Sequence, residues 1–387
     1  MKITSIECFP IRLKGHPYVG GHTLSRGRED VGRYVQHDHY RAIYLKEAQT
    51  FMVKMTTDDG LVGWGETQAG AVPEVLPILV KELIEPRLIG ADPFDREKLR
   101  DLLYDQMRER GHESGFYVDA VSACDIALWD LVGRATNQPI HKLLGGTRRE
   151  RLPCYVSGVP ADSVEEQIEA IEGWLERGFT RFKISLGFGV AADLDHVERL
   201  RNAFGDRIEI LIDAHWAYEL SDAIRVARGF ERQGVSFIEC PLIPEDPHLS
   251  SQLVRSIDLR VALGEEFRTR YAFKERLRQR SMDLAQPDFG RLGITEGWRV
   301  IQLCHAFSTP VAPHLGSGLG LYIAAGLQIA AATPDLYLIE YQPTQYEASR
   351  DLFPDLPTPV DGYCLIPSGP GLGLAPIEDQ VRSFTIG

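Results

Sequence analysis

Hydrophobic and polar positions change rhythm along the 387-residue chain. The opening segment MKITSIECFPIRL alternates apolar and polar residues, which predicts a half-buried strand. A polar stretch rich in Gly and His follows, HPYVGGHTLSRGREDVGRYVQHDHY, and reads as a long loop. Loops of that length in compact domains are usually lids, binding loops or disordered segments. TFMVKMTTDDGLVGWGE reads as strand, DDG turn and strand, hence a hairpin. From about Pro73 to Leu144 apolar positions recur with helical period, with breaks. This first part predicts an α+β domain over residues 1–125.

From about Arg151 short β-rich apolar runs alternate with amphipathic stretches such as SVEEQIEAIEGWLERG, the pattern of βα units and a parallel sheet. The strand candidates reach polar residues at a regular step. FTRFKIS carries Lys183, IEILID ends at Asp213, VSFIE at Glu239, VALGE at Glu265, DLAQPD at Asp288, TPVAPH at His314 and LYLIE at Glu340. Successive positions are 30, 26, 26, 23, 26 and 26 residues apart. One strand, one helix and two short loops fill such a step, so the pattern predicts a barrel over residues 126–356. Each repeat delivers a charged or ionisable group to the strand's C-terminal end, where barrel active sites form. A single one would be an ordinary solvated strand end, but seven in phase are not.

Asp213, Glu239 and Glu265 lie on three successive strand ends. Three converging carboxylates repel unless a cation sits between them, and that many hard oxygen ligands favours Mg²⁺, one ion per subunit. Glu266 beside Glu265 points the other way if the strand continues, because neighbouring strand residues face opposite sides. Asp288 and His314 occupy the next two strands. A carboxylate bonded to one imidazole nitrogen fixes the tautomer and raises the basicity of the other, which makes a His-Asp general base. Glu340 reads as a hydrogen-bonding acid or as a salt-bridged barrel residue.

Composition narrows the partners. The formal charge is −13, which lacks the basic footprint that nucleic acid or an anionic membrane requires. The six cysteines (Cys8, Cys124, Cys154, Cys240, Cys304, Cys364) are scattered without a CxxC pair and read as buried thiols in a reducing compartment. No signal-peptide h-region opens the chain, and the longest apolar stretch is too short to span a bilayer. A cytoplasmic location is expected.

The motifs GWGET (63–67), DIALWDLVG (125–133), PIHKLLGG (139–146), FKIS (182–185), IDAH (212–215), IECP (238–241), LGEE (263–266), QPDFGRLGITE (286–296), APHLGSG (312–318) and GPGLG (369–373) follow one another over nearly the whole chain. In this order they resemble the mandelate racemase branch of the enolase superfamily. The resemblance implies a modified (β/α)7β TIM barrel with an α+β N-terminal capping domain, completed by residues 357–387 returning to it. It implies removal of the proton α to a carboxylate and an enediolate stabilised by Mg²⁺. Asp213, Glu239 and Glu265 then resemble the metal ligands, Asp288 and His314 the dyad, and Glu340 the electrophile beside the carboxylate. A homo-oligomer built on dimers, as large as an octamer, is implied as well.

Two departures set the subtype. Racemases of the family carry Lys-x-Lys where this chain has Lys183-Ile184-Ser185, and an unactivated hydroxyl is too weak a base. Lys183 keeps its charge to hold the substrate carboxylate or enediolate, and His314 is left as the one evident base. Asp213-Ala214-His215-Trp216 is similar to galactonate and mannonate dehydratases, in which the His protonates a departing β-hydroxyl. Its alternative here is a hydrogen bond to substrate or to metal-bound water. The expected reaction is dehydration of an acid sugar, aldonate or aldarate, to a 2-keto-3-deoxy sugar acid. Cycloisomerisation of a sugar lactone or anhydro-sugar acid, racemisation and non-catalytic sugar-acid binding are the alternatives. Ser185, Trp216, His22 and Tyr18 are substrate-contact candidates, the last two in the cap loop with Arg26, Arg33, His37, His39 and Tyr40.

Overall fold

A computed structural model describes residues 1–17, 28–37, 42–68 and 71–386. The first part holds β1 (Ile3–Pro17), β2 (Arg28–Val31), β3 (Tyr34–His37), β4 (Ile43–Leu45), β5 (Glu47–Thr57) and β6 (Val62–Thr67). β1, β5 and β6 form an antiparallel sheet in that order, and the β5–β6 hairpin turns at Gly60, whose φ is +81°. Both faces of β5 are covered. Phe51, Val53 and Met55 pack against the cap helices, while Met52 joins the large core shared with the barrel.

The polar segment read as a loop is partly sheet. β2, β3 and β4 make a second antiparallel sheet, turned through Gly32 at φ +61°. The pattern hid these strands because they are three or four residues long and bury little beyond Val35 and Leu45. Tyr18, His22, Arg26, His39 and Tyr40 lie outside the described residues, as does the side chain of His37.

Helix Phe116–Ala135 carries the cap sheet into the barrel. It is buried on nearly every side, as a helix between two layers must be. β6 lies so close to it that a Cβ on Gly65 would stand 1.9 Å from the Ala123 carbonyl oxygen. The helix runs unbroken through the boundary drawn from the sequence between residues 125 and 126.

The barrel strands are β7 (Arg151–Ser157), β8 (Arg181–Ser185), β9 (Glu209–Asp213), β10 (Phe237–Glu239), β11 (Arg260–Leu263), β12 (Leu284–Ala285) and β13 (Ile339–Tyr341). They pair in parallel from β12 back to β7, and β7 pairs with β13. Residues 311–314 bridge Ala285 and Asp288 on one side, and Val311 bridges Leu336 on the other, which closes the ring. Helices Val164–Glu176, Val190–Phe204, Leu220–Arg232, Pro247–Val254, Arg270–Gln279, Phe289–Ala306 and Gly320–Ala332 alternate with the strands. This is the (β/α)7β arrangement. Tyr155, Leu211, Phe237, Ala262, Leu284, Ala312 and Leu338 fill the barrel interior, so it is a packed core and not a pore.

After the barrel, β14 (Tyr363–Leu365) pairs antiparallel with β7. The helix Glu378–Phe384 returns to the cap, where Ile386 N donates to Pro10 O at 2.8 Å and Lys54 Nζ to Glu378 Oε2 at 2.8 Å. Among the described residues no helix is long and apolar enough to cross a membrane.

Candidate active site

A cavity of about 500 Å³ opens at the C-terminal ends of the barrel strands. Lys183, Ser185, Asp213, His215, Trp216, Glu265, His314 and Glu340 line it from the barrel, and Ala42–Leu45 and Gln68 line it from the cap. The structure therefore brings together strand-end residues that lie far apart in the chain. Parallel pairing does this directly, because Ser185 is in register with Asp213, Asp213 with Glu239, and Asp288 with His314.

Lys183 sits in the middle of the acidic cluster. Its Nζ is 2.9 Å from Glu239 Oε2, 3.1 Å from Glu340 Oε1 and 3.5 Å from Asp213 Oδ2. Burial opposes its charge, but Glu239 and Glu340 overcome that and hold the ammonium well above its ordinary range. Glu340 is the other half of this pairing. It is buried, yet Lys183 and His314 keep its carboxyl below the usual range. Its Oε2 accepts from Leu315 N at 2.7 Å. Glu340 thus pairs with Lys183 and accepts a backbone N–H.

His314 donates from Nδ1 to Asp288 Oδ2 at 2.8 Å, and its Nε2 lies 2.8 Å from Glu265 Oε2. Burial disfavours its positive charge, while Glu265 and Glu340 raise its basicity well above that of an ordinary imidazole. Asp288 lies beneath it, fully buried, and its Oδ1 caps the helix Phe289–Ala306 by accepting from Arg291 N at 3.0 Å.

His215 reaches the cavity through a turn beyond the strand end. β9 ends at Asp213, and His215 and Trp216 both turn left-handed, with φ of +46° and +58°. Non-glycine residues adopt this region at a cost of about 1 kcal/mol or more each, and such strain concentrates at functional sites. The turn is pinned by Trp216 N donating to Cys240 O at 2.6 Å. His215 Nδ1 comes to 3.1 Å from Asp213 Oδ1. Burial lowers its pKa to about 4, so it is neutral at physiological pH.

Among the described residues, no three His, Cys, Asp or Glu side chains already stand as a closed metal-ligand set. Here Lys183 pairs with Glu239 and Asp213, and His314 with Glu265. The donor set nevertheless suits a hard dication. Glu239 Oε1 is buried with no hydrogen-bond partner among the described residues. Burial and neighbouring carboxylates push Asp213 to about 6 and Glu239 to about 7, as expected of acids short of positive charge. Five carboxyl groups (Asp213, Glu239, Glu265, Asp288, Glu340) face Lys183, His314 and Arg291, so a bound organic anion needs further cationic charge beside it.

Several site residues were not singled out in the sequence. Gln286 Nε2 donates to Glu239 Oε2 at 2.6 Å and orients that carboxylate. Arg291 joins the two domains, donating to Gln68 Oε1 and to Glu265 O, both at 2.5 Å. Ser157, at the end of β7, lines the cavity beside Glu340. The spacing of polar strand ends could have reached Ser157 by adding one more step backward. Arg33, in the polar cap segment, pairs with Glu74 at 2.5 Å.

A (β/α)7β barrel with a separate α+β cap and a carboxylate-rich site at its strand ends defines an enzyme of the enolase superfamily. The chain belongs to that superfamily, in its mandelate racemase subgroup. Residues 166–380 match the family Enolase C-terminal domain-like, and residues 39–145 match Mandelate racemase / muconate lactonizing enzyme, N-terminal domain. The chain is 32% identical over 346 residues to D-galactarolactone cycloisomerase of Agrobacterium fabrum, covering 86% of this chain and 90% of that one. It is 28% identical to the arabinonate dehydratase of Saccharolobus solfataricus over 337 residues, 85% of this chain and 88% of the relative. A crystal structure of an enolase-superfamily member from Agrobacterium tumefaciens superposes with a TM-score of 0.93 at 32% identity, over 100% of this chain and 99% of that one.

Proposed function

We propose that the protein is a Mg²⁺-dependent acid-sugar dehydratase that removes the proton α to the substrate carboxylate and expels the β-hydroxyl. The observation that carries this reading is the asymmetry of the cavity. One wall holds an imidazole backed by a buried carboxylate, His314 on Asp288 at 2.8 Å. The opposite strand end offers Ser185, which cannot serve as a second base. One base supports elimination and disfavours two-base racemisation.

With Glu265 drawn off Nε2, the neutral form of His314 takes the α-proton at Nε2, and the C–H electron pair moves into the carboxylate to give an enediolate. Asp288 keeps Nδ1 protonated and stabilises the imidazolium that forms. Lys183, which lines the cavity, faces the developing negative charge. Asp213, Glu239 and Glu265 would hold Mg²⁺, which when bound would supply further positive charge to stabilise the enediolate. The enediolate then collapses, a carbon–carbon double bond forms, and the β-carbon–oxygen bond breaks. His215 delivers the proton to the departing oxygen. Burial, with Lys183 nearby, keeps His215 neutral at rest, so the proton it delivers is one it takes up from solvent once the enediolate brings negative charge into the cavity. The enol product tautomerises to the 2-keto-3-deoxy acid.

A second reading, ring opening of a sugar lactone through the same enediolate, is supported by the 32% identical cycloisomerase. The test is a panel of aldonates, aldarates and their lactones incubated with protein and Mg²⁺, read by proton NMR, with an EDTA control. A 2-keto-3-deoxy product from an open-chain acid supports dehydration. The same product from a lactone alone overturns it in favour of the second reading.

A further inference from the structure

We propose that Tyr322 is a positioning residue for the His314–Asp288 dyad and that Glu66, from the capping domain, holds Tyr322 in place. The inference rests on the reading of His314 as the general base. It concerns what fixes that base.

Asp288 is held at both oxygens. Oδ1 accepts from Arg291 N, and Oδ2 accepts from His314 Nδ1 at 2.8 Å and from the Tyr322 hydroxyl at 2.6 Å. A carboxylate fixed at one oxygen can still swing about its own axis. Fixing the second oxygen sets the plane in which the imidazole must lie. Arg291 Nε, at 3.3 Å from Oδ2, is a weaker restraint because it also serves Gln68. Removing the Tyr322 hydroxyl therefore leaves Oδ2 held chiefly by the base it is meant to orient.

The ring of Tyr322 lies in a slot built for it. A Cβ on Gly290 would stand 1.8 Å from its Cδ2, and one on Gly318 would stand 2.1 Å from its Cγ. No side chain fits at either position while the tyrosine stays where it is, which explains two glycines in the motifs QPDFGRLG and APHLGSG. Tyr322 is fully buried.

The slot is tied to the cap. Glu66, on β6, accepts from Leu319 N at 2.6 Å and from Tyr322 N at 2.9 Å, the first turn of the helix Gly320–Ala332. Thr50 Oγ1 donates to the same carboxylate at 2.6 Å. The Gly290 carbonyl, two residues beyond Asp288, accepts from Thr67 Oγ1 at 2.7 Å and from Ser122 Oγ at 2.6 Å, both cap residues. Cap strand, helix N-terminus, tyrosine, aspartate and histidine make one continuous chain of hydrogen bonds. The cap thus fixes the geometry of the base as well as covering the cavity.

The experiment compares wild type, Tyr322→Phe and His314→Asn, each with Mg²⁺. It measures melting temperature, KM, kcat and the rate of α-proton exchange into D₂O for a substrate found in the panel above. Phenylalanine keeps the ring in its slot, so the expected Tyr322→Phe protein melts within a few degrees of wild type. Its KM is unchanged, and kcat and α-exchange fall together by about 10- to 100-fold, the scale of a displaced catalytic group. Equal kcat and exchange rates in Tyr322→Phe and wild type would overturn the proposal while leaving the base assignment standing. Undiminished exchange in His314→Asn would instead overturn the base assignment. Glu66→Gln, which disturbs the support and not the hydroxyl, is expected to lower kcat in the same direction with KM unchanged. A change confined to KM would count against the proposal.

Discussion

His215 owes its place to two consecutive left-handed residues, and only part of that was readable. The likeness of Asp213-Ala214-His215-Trp216 to dehydratases marked it as a candidate, but the strand ends at Asp213 and a pinned turn does the aiming. Asparagine tolerates left-handed backbone better than most residues and keeps a hydrogen-bonding side chain. His215→Asn is therefore expected to fold with little change in melting temperature. It should continue to exchange the α-proton and should form dehydrated product at least about 100-fold more slowly, the usual scale for a lost general acid. Full product formation would remove His215 from the mechanism. The residues that the spacing reached lie on the barrel strands or just past their ends, where each repeat presents a residue to one point. Tyr322, Arg291 and Gln286 escaped it. Tyr322 depends on a helix turn meeting a neighbouring loop, Arg291 on the docking of the cap, and Gln286 on the residues after a two-residue strand.

Contact between elements explains why some small residues are fixed. β6 crosses helix Phe116–Ala135 at Gly63 and Gly65, where added Cβ atoms would meet Leu131 Cγ at 2.6 Å and the Ala123 carbonyl oxygen at 1.9 Å. Backbone cannot yield as a side-chain tip can. Gly65→Ala should therefore separate strand from helix and destabilise the protein by about 3 kcal/mol or more, the upper end for overpacking. Urea unfolding measures this, and a midpoint equal to wild type would show that the contact relaxes freely. The β1, β5 and β6 strands and the long helix were legible because they carry sustained periods of apolar residues. The β2–β4 sheet was not, because Arg28–Val31 and Tyr34–His37 contain mostly polar side chains and owe their pairing to turns and cap contacts.

Across the whole molecule, buried titratable groups make stability depend on pH. His196, on helix Val190–Phe204, is buried against helix Val164–Glu176, with its Nε2 2.7 Å from Gln167 Oε1. Burial pushes its pKa down to about 4 from the ordinary 6.5. The unfolded chain then binds more protons than the folded one between these values. The contribution of neutral His196 is whole above pH 6.5 and is lost as pH falls toward 4. From pH 7 to pH 5 this amounts to about 2 kcal/mol, at 1.36 kcal/mol per pH unit below 6.5. His196→Gln should therefore show a smaller drop in melting temperature between pH 7 and pH 5 than wild type, and an equal drop would assign the acid sensitivity elsewhere.

The net charge of −13 belongs to this scale too. It rules on partners at a distance but not on the ligand, because inside the cavity Lys183 and the proposed Mg²⁺ decide the local field. The central claim is that His314 removes the α-proton of a sugar acid. The most direct measurement is deuterium incorporation at the α-carbon in D₂O with Mg²⁺, by proton NMR, for wild type and His314→Asn. Exchange in wild type that disappears in His314→Asn, with Mg²⁺ binding retained, is the result predicted here. Exchange that persists in the variant would contradict the assignment of the base and the mechanism built on it.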